Sequence, residues 1–268
     1  MSIFKRGKHT ASAAPQMADE RRHILSNQSD FFVREAYKTL RTNTMFALAD
    51  KDGCKTVIVT SSLQSEGKSI TALNLAISFA LAESRVLLID CDLRRPKQAR
   101  LLRKNTRAGL SNLLLQPELL PKAVLHTDVE NLDIIISGDI PPNPSELLGS
   151  ARMAALLDHL RADYDYIILD TPPVNMVTDA VVLSSRSDGV LFVVRSGQSE
   201  RGSVLRAVEQ LEYAQAKILG FALDDVVSGS GGGYGYGKYK RYQKYSRYGY
   251  GYSSGYGYEP TTAGTTQS

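Results

Sequence analysis

Short continuous apolar runs alternate along the chain with longer stretches that have a helical period. The apolar runs are rich in β-branched residues and lie at 56–60, 86–89, 132–136, 167–169, 190–194 and 218–223. Helical patterns begin at Ser69 and beyond Pro96. Continuous apolar strands separated by helices are typical of a parallel sheet that is covered on both faces. The pattern therefore predicts an α/β fold with right-handed crossovers.

Another helical period precedes the first strand. It begins at Phe31, and we expect Gly53 to end this helix. One face of the helix can hold Val33, Ala36, Tyr37, Leu40, Ala47 and Leu48. Residues 1–29 are polar and unpatterned, so we expect a flexible basic lead ahead of a domain that spans 30–228.

Composition places this domain among ordinary globular proteins. The chain has 268 residues, of which 43% are hydrophobic and 22% charged, enough to bury a sizeable core. There are 32 basic and 28 acidic side chains, a net charge of +4. Residues 229–268 contain five Lys or Arg and one Glu, so the whole net charge lies in this segment. The balanced remainder argues against a nucleic-acid-binding core.

Tyrosine is concentrated in the same C-terminal segment. A Gly/Ser hinge at 228–233 leads into tyrosines that alternate with Gly, Lys, Arg and Ser. Without aliphatic residues such a stretch cannot bury enough surface to offset its ordering entropy, so we predict a disordered tail over 229–268. Ten of the 14 tyrosines lie there: Tyr234, Tyr236, Tyr239, Tyr242, Tyr245, Tyr248, Tyr250, Tyr252, Tyr256 and Tyr258.

The sequence also carries signals about the compartment. Its two cysteines, Cys54 and Cys91, cannot make a disulfide framework, which fits a reducing cytoplasm. No apolar run approaches the roughly 20 residues that span a bilayer. We therefore expect a cytoplasmic protein whose connection to the membrane is made through a partner.

The first strand leads into a loop that can bind phosphate. Residues 61–69 read Ser-Ser-Leu-Gln-Ser-Glu-Gly-Lys-Ser, and a helix follows. Backbone N–H groups of such a loop converge on phosphate oxygens at the helix N-terminus. Lys68 would place a positive charge on the phosphates, and Ser69 a hydroxyl on Mg²⁺. Ser62 replaces the first glycine of the usual pattern, and a loop that merely caps the helix is the alternative.

Acidic residues follow two other apolar strands. Asp90 and Asp92 come directly after the strand at 86–89, and Asp170 comes after the strand at 167–169. Ligands in open α/β sheets bind at this carboxyl edge. Each aspartate taken alone could simply cap the next helix. Together with the phosphate-binding loop after the first strand, they make three strand ends in one chain that favour Mg-nucleotide chemistry instead.

Together these motifs resemble the bacterial tyrosine kinases (BY-kinases) of exopolysaccharide and capsule systems. The resemblance covers about residues 30–258: a Walker A loop, an A′ motif at 89–95, a Walker B motif ending Asp-Thr-Pro-Pro, and the tyrosine cluster. It includes Pro-Pro-Asn-Pro-Ser-Glu-Leu-Leu at 141–148, where Asn143 and Glu146 can form a capping box with Pro144 in the first turn. The related partitioning ATPases carry a second lysine inside the loop, and this chain has none there.

The resemblance implies a P-loop NTPase-like sheet and a kinase that uses ATP and Mg²⁺ to phosphorylate the tail tyrosines of neighbouring subunits. Lys68, Asp90, Asp92 and Asp170 are then the catalytic residues, with Asp90 the first choice and Asp92 the second for accepting the phenol proton. Metal would be held by Ser69, Asp92 and Asp170. Nucleotide would be bound by Ser65, Glu66, Gly67, Lys68, Ser69, Ile70 and Asp224. Relatives often have Asn at the last of these positions, near the adenine.

The resemblance also implies a ring-like homo-oligomer. Glu35, Lys38 and Arg41 step by three along the first helix and look like the segment that links subunits, although the family usually has Arg where Lys38 stands. Spacing alone favours a solvated face with an intrahelical pair. Further implied partners are a transmembrane regulator of polysaccharide chain length, which would act as activator, and a protein-tyrosine phosphatase.

Three alternative functions remain open. The first is a partitioning or septum-site type ATPase without kinase activity. The second is RNA binding through the tail, by stacking and cation–π contacts. The third is a weakly catalytic scaffold in polysaccharide assembly, against which the intact Lys68, Ser69 and three aspartates argue.

Overall fold

The computed structural model describes residues 20–226, which form a seven-stranded sheet with helices on both faces. The strands are β1 Lys55–Ser61, β2 Val86–Asp90, β3 Leu125–His126, β4 Leu132–Ile135, β5 Tyr166–Asp170, β6 Gly189–Arg195 and β7 Ile218–Asp224. The α-helices are α1 Phe31–Ala47, α2 Lys68–Ala80, α3 Gln98–Leu101, α4 Leu110–Leu115, α5 Leu120–Ala123, α6 Pro144–Leu148, α7 Ala151–Leu160, α8 Asp179–Ser184 and α9 Arg201–Tyr213. A 3₁₀ helix at Pro117–Leu119 precedes α5. The predicted tail at 229–268, with its ten tyrosines, lies outside the described residues.

The strand order is β3-β4-β2-β5-β1-β6-β7. Every neighbouring pair is parallel except β3 and β4, which are antiparallel. The predicted P-loop NTPase-like α/β fold is confirmed. Strand β3 was not predicted, because a strand of two residues, one of them exposed, is too short to show a period.

The central strands are buried on both faces because successive side chains point to opposite sides of the sheet. Ile58, Leu87 and Ile167 pack on one side, against α4, α7, α8 and α9. Val57 and Leu88 pack on the other, against α2. Burial on both faces explains why these strands read as continuous apolar runs rather than alternating ones.

Residues 20–29 pack on the domain, although the sequence analysis assigned them to the flexible lead. Leu25 is 6% exposed in the core beside α2. Its N–H donates to Asn74 Oδ1 at 2.7 Å, and Asn74 Nδ2 donates to the carbonyl of His23 at 2.8 Å. Residues 20–29 therefore belong to the domain, which the polar composition of this stretch concealed.

Helix α1 ends at Ala47, so the expectation that Gly53 terminates it is wrong. Tyr37, Leu40 and Leu48 pack on the core as predicted, whereas Val33 in the first turn is 41% exposed. Within residues 20–226, no helix combines the length and apolar character that crossing a bilayer requires.

Candidate active site

The structure brings Lys68, Asp92 and Asp170 together at the carboxyl edge of the sheet. Strands β2 and β5 are neighbours, and their register sets Asp90 beside Asp170. Lys68 Nζ donates to Asp92 Oδ2 at 2.8 Å and lies 3.5 Å from Asp170 Oδ1. The ammonium is therefore held between the A′ and Walker B carboxylates.

The loop between β1 and α2 has the backbone shape of an anion site. Ser65 and Gly67 both have positive φ, +65° and +89°. A Cβ on Gly67 would lie 2.2 Å from Asp224 Oδ2, so only glycine fits between the loop and β7. Helix α2 begins at Lys68 and has 13 residues. Its first N–H groups have no intrahelical acceptors and are available to a phosphate.

Two side chains hold this loop from behind: Glu66, which the resemblance assigned to nucleotide binding, and Arg195, which no motif indicated. The Glu66 carboxylate is 1% exposed and accepts hydrogen bonds from Ser62 Oγ at 2.8 Å and from Ser199 Oγ at 2.5 Å. Arg195 Nη1 donates to the carbonyl of Ser65 at 3.0 Å. The Glu66 side chain therefore stabilises the loop, and only the Glu66 backbone is available to bind a nucleotide.

The charges at this edge perturb one another. Burial by itself would lower the pKa of Lys68, but Asp170 and Asp92 more than reverse that effect, so its pKa is raised and the ammonium stays charged. Burial, reinforced by Asp170, raises the pKa of Asp90. The Lys68 ammonium contacts two carboxylates, those of Asp92 and Asp170, and this excess of negative charge favours a further cation.

Asp90 is fully buried, and both of its carboxylate oxygens accept backbone hydrogen bonds. Oδ1 accepts from the Asp92 N–H at 3.2 Å, and Oδ2 accepts from the N–H groups of Lys97 at 3.1 Å and Gln98 at 3.0 Å. The alternative reading, an aspartate that caps the next helix, therefore describes Asp90 in this conformation. Asp92, which is 4% exposed, is the more accessible of the two candidate bases.

The residues proposed to hold Mg²⁺ supply the donors that this ion prefers. Ser69 offers a hydroxyl, and Asp92 and Asp170 offer carboxylates. Mg²⁺ usually binds through one or two carboxylates together with substrate phosphates rather than in a cage of protein ligands. Accordingly, residues 20–226 contain no group of three His, Cys, Asp or Glu side chains arranged to hold a metal by themselves. The donor set fits a metal that arrives with a nucleotide.

The remaining nucleotide candidates lie around the loop. Ile70 is in the first turn of α2, where its half-buried side chain packs on the core. Asp224 ends β7 with its side chain against Gly67, and burial raises its pKa. The structure therefore places Asp224 beside the loop.

Arg94 of the A′ motif is neither a free cation nor part of a solvated turn. Its guanidinium makes a forked contact with Asp179, with Nε to Oδ2 and Nη2 to Oδ1 both 3.1 Å, and Nη2 also donates to Ser145 Oγ at 3.0 Å. Asp179 is fully buried. Arg94 thus ties the A′ motif to the segment 141–148 and to α8. Arg95 has a different partner, since its Nη1 donates to Gln64 Oε1 at 2.7 Å.

The predicted capping box at 141–148 is wrong in one part. Asn143 is the residue before α6, and Pro144 occupies the first turn. The Asn143 side chain makes no capping hydrogen bond. Ser145 instead turns its hydroxyl to Asp179.

The three residues expected to link subunits do not share one exposed stripe. Lys38 Nζ binds Glu35 Oε1 at 2.7 Å on the exposed side of α1, which is the intrahelical pair that spacing alone favoured. Arg41 Nη1 instead donates to the carbonyl of Ser78 at 2.7 Å and so ties α1 to α2. In the isolated subunit, all three charges therefore have intramolecular partners.

Strand, loop and helix form a phosphate cradle, and acidic strand ends lie beside it, so fold and site define a P-loop nucleotide-binding protein. A family model described as AAA domain matches residues 55–219. The chain is 40% identical over 202 residues to tyrosine-protein kinase YwqD of Bacillus subtilis (strain 168), covering 75% of this chain and 85% of that protein. It is 36% identical over 211 residues to tyrosine-protein kinase CpsD of Streptococcus agalactiae, covering 77% and 91%.

Solved structures agree with these relatives. The kinase domain of Escherichia coli tyrosine kinase ETK matches with a TM-score of 0.71 and 34% identity over 76% of this chain and 80% of that one. The chain belongs to the bacterial tyrosine kinases, and the predicted enzyme class is confirmed. The septum site-determining protein MinD of Pyrococcus horikoshii, at 21% identity and a TM-score of 0.55 over 63% of this chain and 70% of that one, shares the fold alone.

Proposed function

We propose that this protein is a tyrosine autokinase that transfers the γ-phosphoryl group of Mg-ATP to tail tyrosines of a neighbouring subunit. One observation carries the proposal: the P-loop lysine lies between the A′ and Walker B carboxylates, 2.8 Å from Asp92 and 3.5 Å from Asp170. A site of this composition can bind a triphosphate and its metal at one point of the sheet edge.

Phosphoryl transfer depends on positioning and charge neutralisation more than on covalent help from the protein. Backbone N–H groups from Ser65 to Ser69 cradle the phosphates, and the Lys68 ammonium neutralises the charge that develops on them. Ser69, Asp92 and Asp170 would hold Mg²⁺, which neutralises charge on the phosphoryl oxygens when bound. Glu66 and Arg195 keep the loop in shape throughout.

The acceptor phenol must lose its proton during transfer, because a free tyrosine has a pKa of about 10. A carboxylate suffices as base if the proton leaves late in a loose transition state. Asp90 would first have to release three backbone N–H groups, whereas Asp92 accepts one backbone N–H, from Arg95, and the Lys68 ammonium. We therefore assign the role of general base, which accepts the phenol proton, to Asp92 in place of Asp90. Asp90 instead stabilises the A′ loop.

The acceptors proposed are the ten tyrosines between Tyr234 and Tyr258. A fully extended segment of roughly 30 residues reaches on the order of 100 Å, and a flexible coil of that length about 30 Å. Either distance allows transfer to a second subunit. Kinship with the bacterial tyrosine kinases supports the wider role that we propose: regulation of exopolysaccharide or capsule polymerisation and export. There the kinase would act at the inner face of the membrane with a transmembrane activator and a phosphatase.

A mixing experiment tests transfer between subunits. One full-length variant carries Lys68→Met and an intact tail; the other keeps Lys68 and has Phe at all ten tail tyrosines. Neither should acquire tail phosphotyrosine alone with Mg-ATP, whereas the Lys68→Met chain should acquire it in the mixture. Phosphotyrosine in the wild type but not in the mixture would contradict transfer between subunits. ATP hydrolysis without phosphotyrosine in the wild type would support the ATPase alternative instead.

A further inference from the structure

Gln98 is a fully buried side chain that contacts all three nucleotide motifs. It opens the short helix α3, just beyond the A′ motif. Its Nε2 donates to the carbonyl of Ser69 at 2.9 Å and to Asp170 Oδ2 at 2.8 Å. Its backbone N–H donates to Asp90 Oδ2 at 3.0 Å. One residue thus joins the P-loop helix, the A′ strand end and the Walker B strand end.

The amide determines how Asp170 presents its carboxylate. Oδ2 is occupied by Gln98, and Oδ1 faces Lys68 Nζ at 3.5 Å. Rotation of the carboxylate would break the hydrogen bond from Nε2. Gln98, a side chain with no charge, therefore fixes the orientation of the carboxylate and leaves one Asp170 oxygen for a metal or its water.

The other end of the same amide has an unused acceptor. Gln98 Oε1 is buried and has no hydrogen-bond partner among residues 20–226. Exchanging the amide oxygen and nitrogen would not help, because both partners of Nε2 are acceptors. Buried acceptors are normally satisfied, so an orphan at a polar site requires an explanation. Mg²⁺ keeps several of its waters when it binds protein, and such waters are donors.

We propose that Gln98 is a positioning residue for the magnesium site: its NH₂ group fixes Asp170, and its Oε1 accepts a hydrogen bond from a water bound to Mg²⁺. The proposal rests on the proposed Mg-nucleotide chemistry and adds a residue to it. No sequence motif pointed to Gln98, because its role depends on three segments that only the fold brings together.

A purely structural role must be distinguished from this one, since Gln98 also joins α3 to α2. Asn74 offers a matched control. It is a second buried carboxamide, lies within α2 itself and is 1% exposed, but it binds the backbone of His23 and Leu25 rather than a carboxylate. Replacing either amide removes buried hydrogen bonds, whereas only replacement of Gln98 releases Asp170.

The test compares Gln98→Leu, Gln98→Met and Asn74→Leu in the full-length chain, with fluorescent ADP as the probe and no chemistry required. Affinity for ADP is measured in EDTA, and Mg²⁺ is then titrated to find the concentration that gives half of the metal-dependent change. Thermal melting without ligand reports folding. The unbranched Gln98→Met side chain preserves length and packing if Gln98→Leu fails to fold.

We expect both Gln98 variants to raise the Mg²⁺ half-saturation concentration by about 10- to 100-fold, as losses of outer-shell metal contacts do, with metal-free ADP affinity changed less than about twofold. Asn74→Leu should lower the melting temperature and leave the Mg²⁺ requirement unchanged. An unchanged Mg²⁺ requirement in Gln98→Met, or an equal rise in Asn74→Leu, would overturn the role of Gln98. A wild-type chain without Mg²⁺-dependent ADP binding would overturn the proposed function itself.

Discussion

Replacing Arg94 by Met tests whether this A′ arginine stabilises the fold or acts on the substrate. The structure shows a forked ion pair between Arg94 and Asp179, with both contacts at 3.1 Å. Arg95 is adjacent, equally basic and exposed, with one contact to Gln64, and so provides a control for loss of charge.

The expected cost follows from the burial of the two partners. Removing one member of a fully buried ion pair costs about 3–5 kcal/mol, because the other charge is left without compensation. The Asp179 side chain is 0% exposed, whereas that of Arg94 is 38% exposed and is partly screened by water. We therefore discount the loss to about 2 kcal/mol for Arg94→Met. The corresponding fall in melting temperature is about 4–8 °C for a domain of 150–250 residues.

Urea unfolding followed by circular dichroism measures this loss, and Arg95→Met should lie within about 0.5 kcal/mol of the wild type. A double-mutant cycle with Asp179→Asn should show coupling, since each substitution removes the same contact. Equal stability of the two arginine variants would refute the structural assignment of Arg94. If Arg94→Met kept the stability of the wild type but lost phosphotransfer, Arg94 would act on the substrate rather than on the fold.

Other substitutions test other parts of the structure. Leu25→Ala should lower the unfolding free energy by about 2–3 kcal/mol in urea melts, because the side chain is buried in the core, and exposed Gln28→Ala should not. Gly67→Ala should abolish binding of fluorescent ADP, since the added Cβ would clash with the Asp224 side chain. Gly53 also has a positive φ but has open space around it, so Gly53→Ala should lower the unfolding free energy by only about 1–2 kcal/mol and still bind ADP. Complete phosphorylation would change the tail charge from +4 to roughly −11 to −16, which should dissociate oligomers in sizing experiments. A chain with Phe at all ten tail positions that assembles and dissociates with ATP like the wild type would exclude this switch.

The apolar pattern predicted six of the seven strands and the polar side chains at their carboxyl ends. Continuous apolar runs specify buried parallel strands whatever their neighbours are, because burial on both faces is a local property of each strand. Motifs that follow those strands must meet at the carboxyl edge, so the sequence alone assigns Lys68, Asp90 and Asp170 to one site. Local capping was less secure: Asn143 was placed correctly, but its side chain makes no hydrogen bond.

The partners of the polar side chains at that edge became known only from the fold. Gln98 and Arg94 act on Asp170 and Asp179, 72 and 85 positions away along the chain. Nothing near Gln98 in the sequence distinguishes it from a surface polar group, and the A′ motif that contains Arg94 does not indicate its partner. The packing of residues 20–29 was hidden for the same reason, since Ile24 and Leu25 are two adjacent apolar residues in a polar stretch and show no period. Hydrogen bonds and ion pairs between distant segments have no period along a chain, whereas burial in strands and helices does.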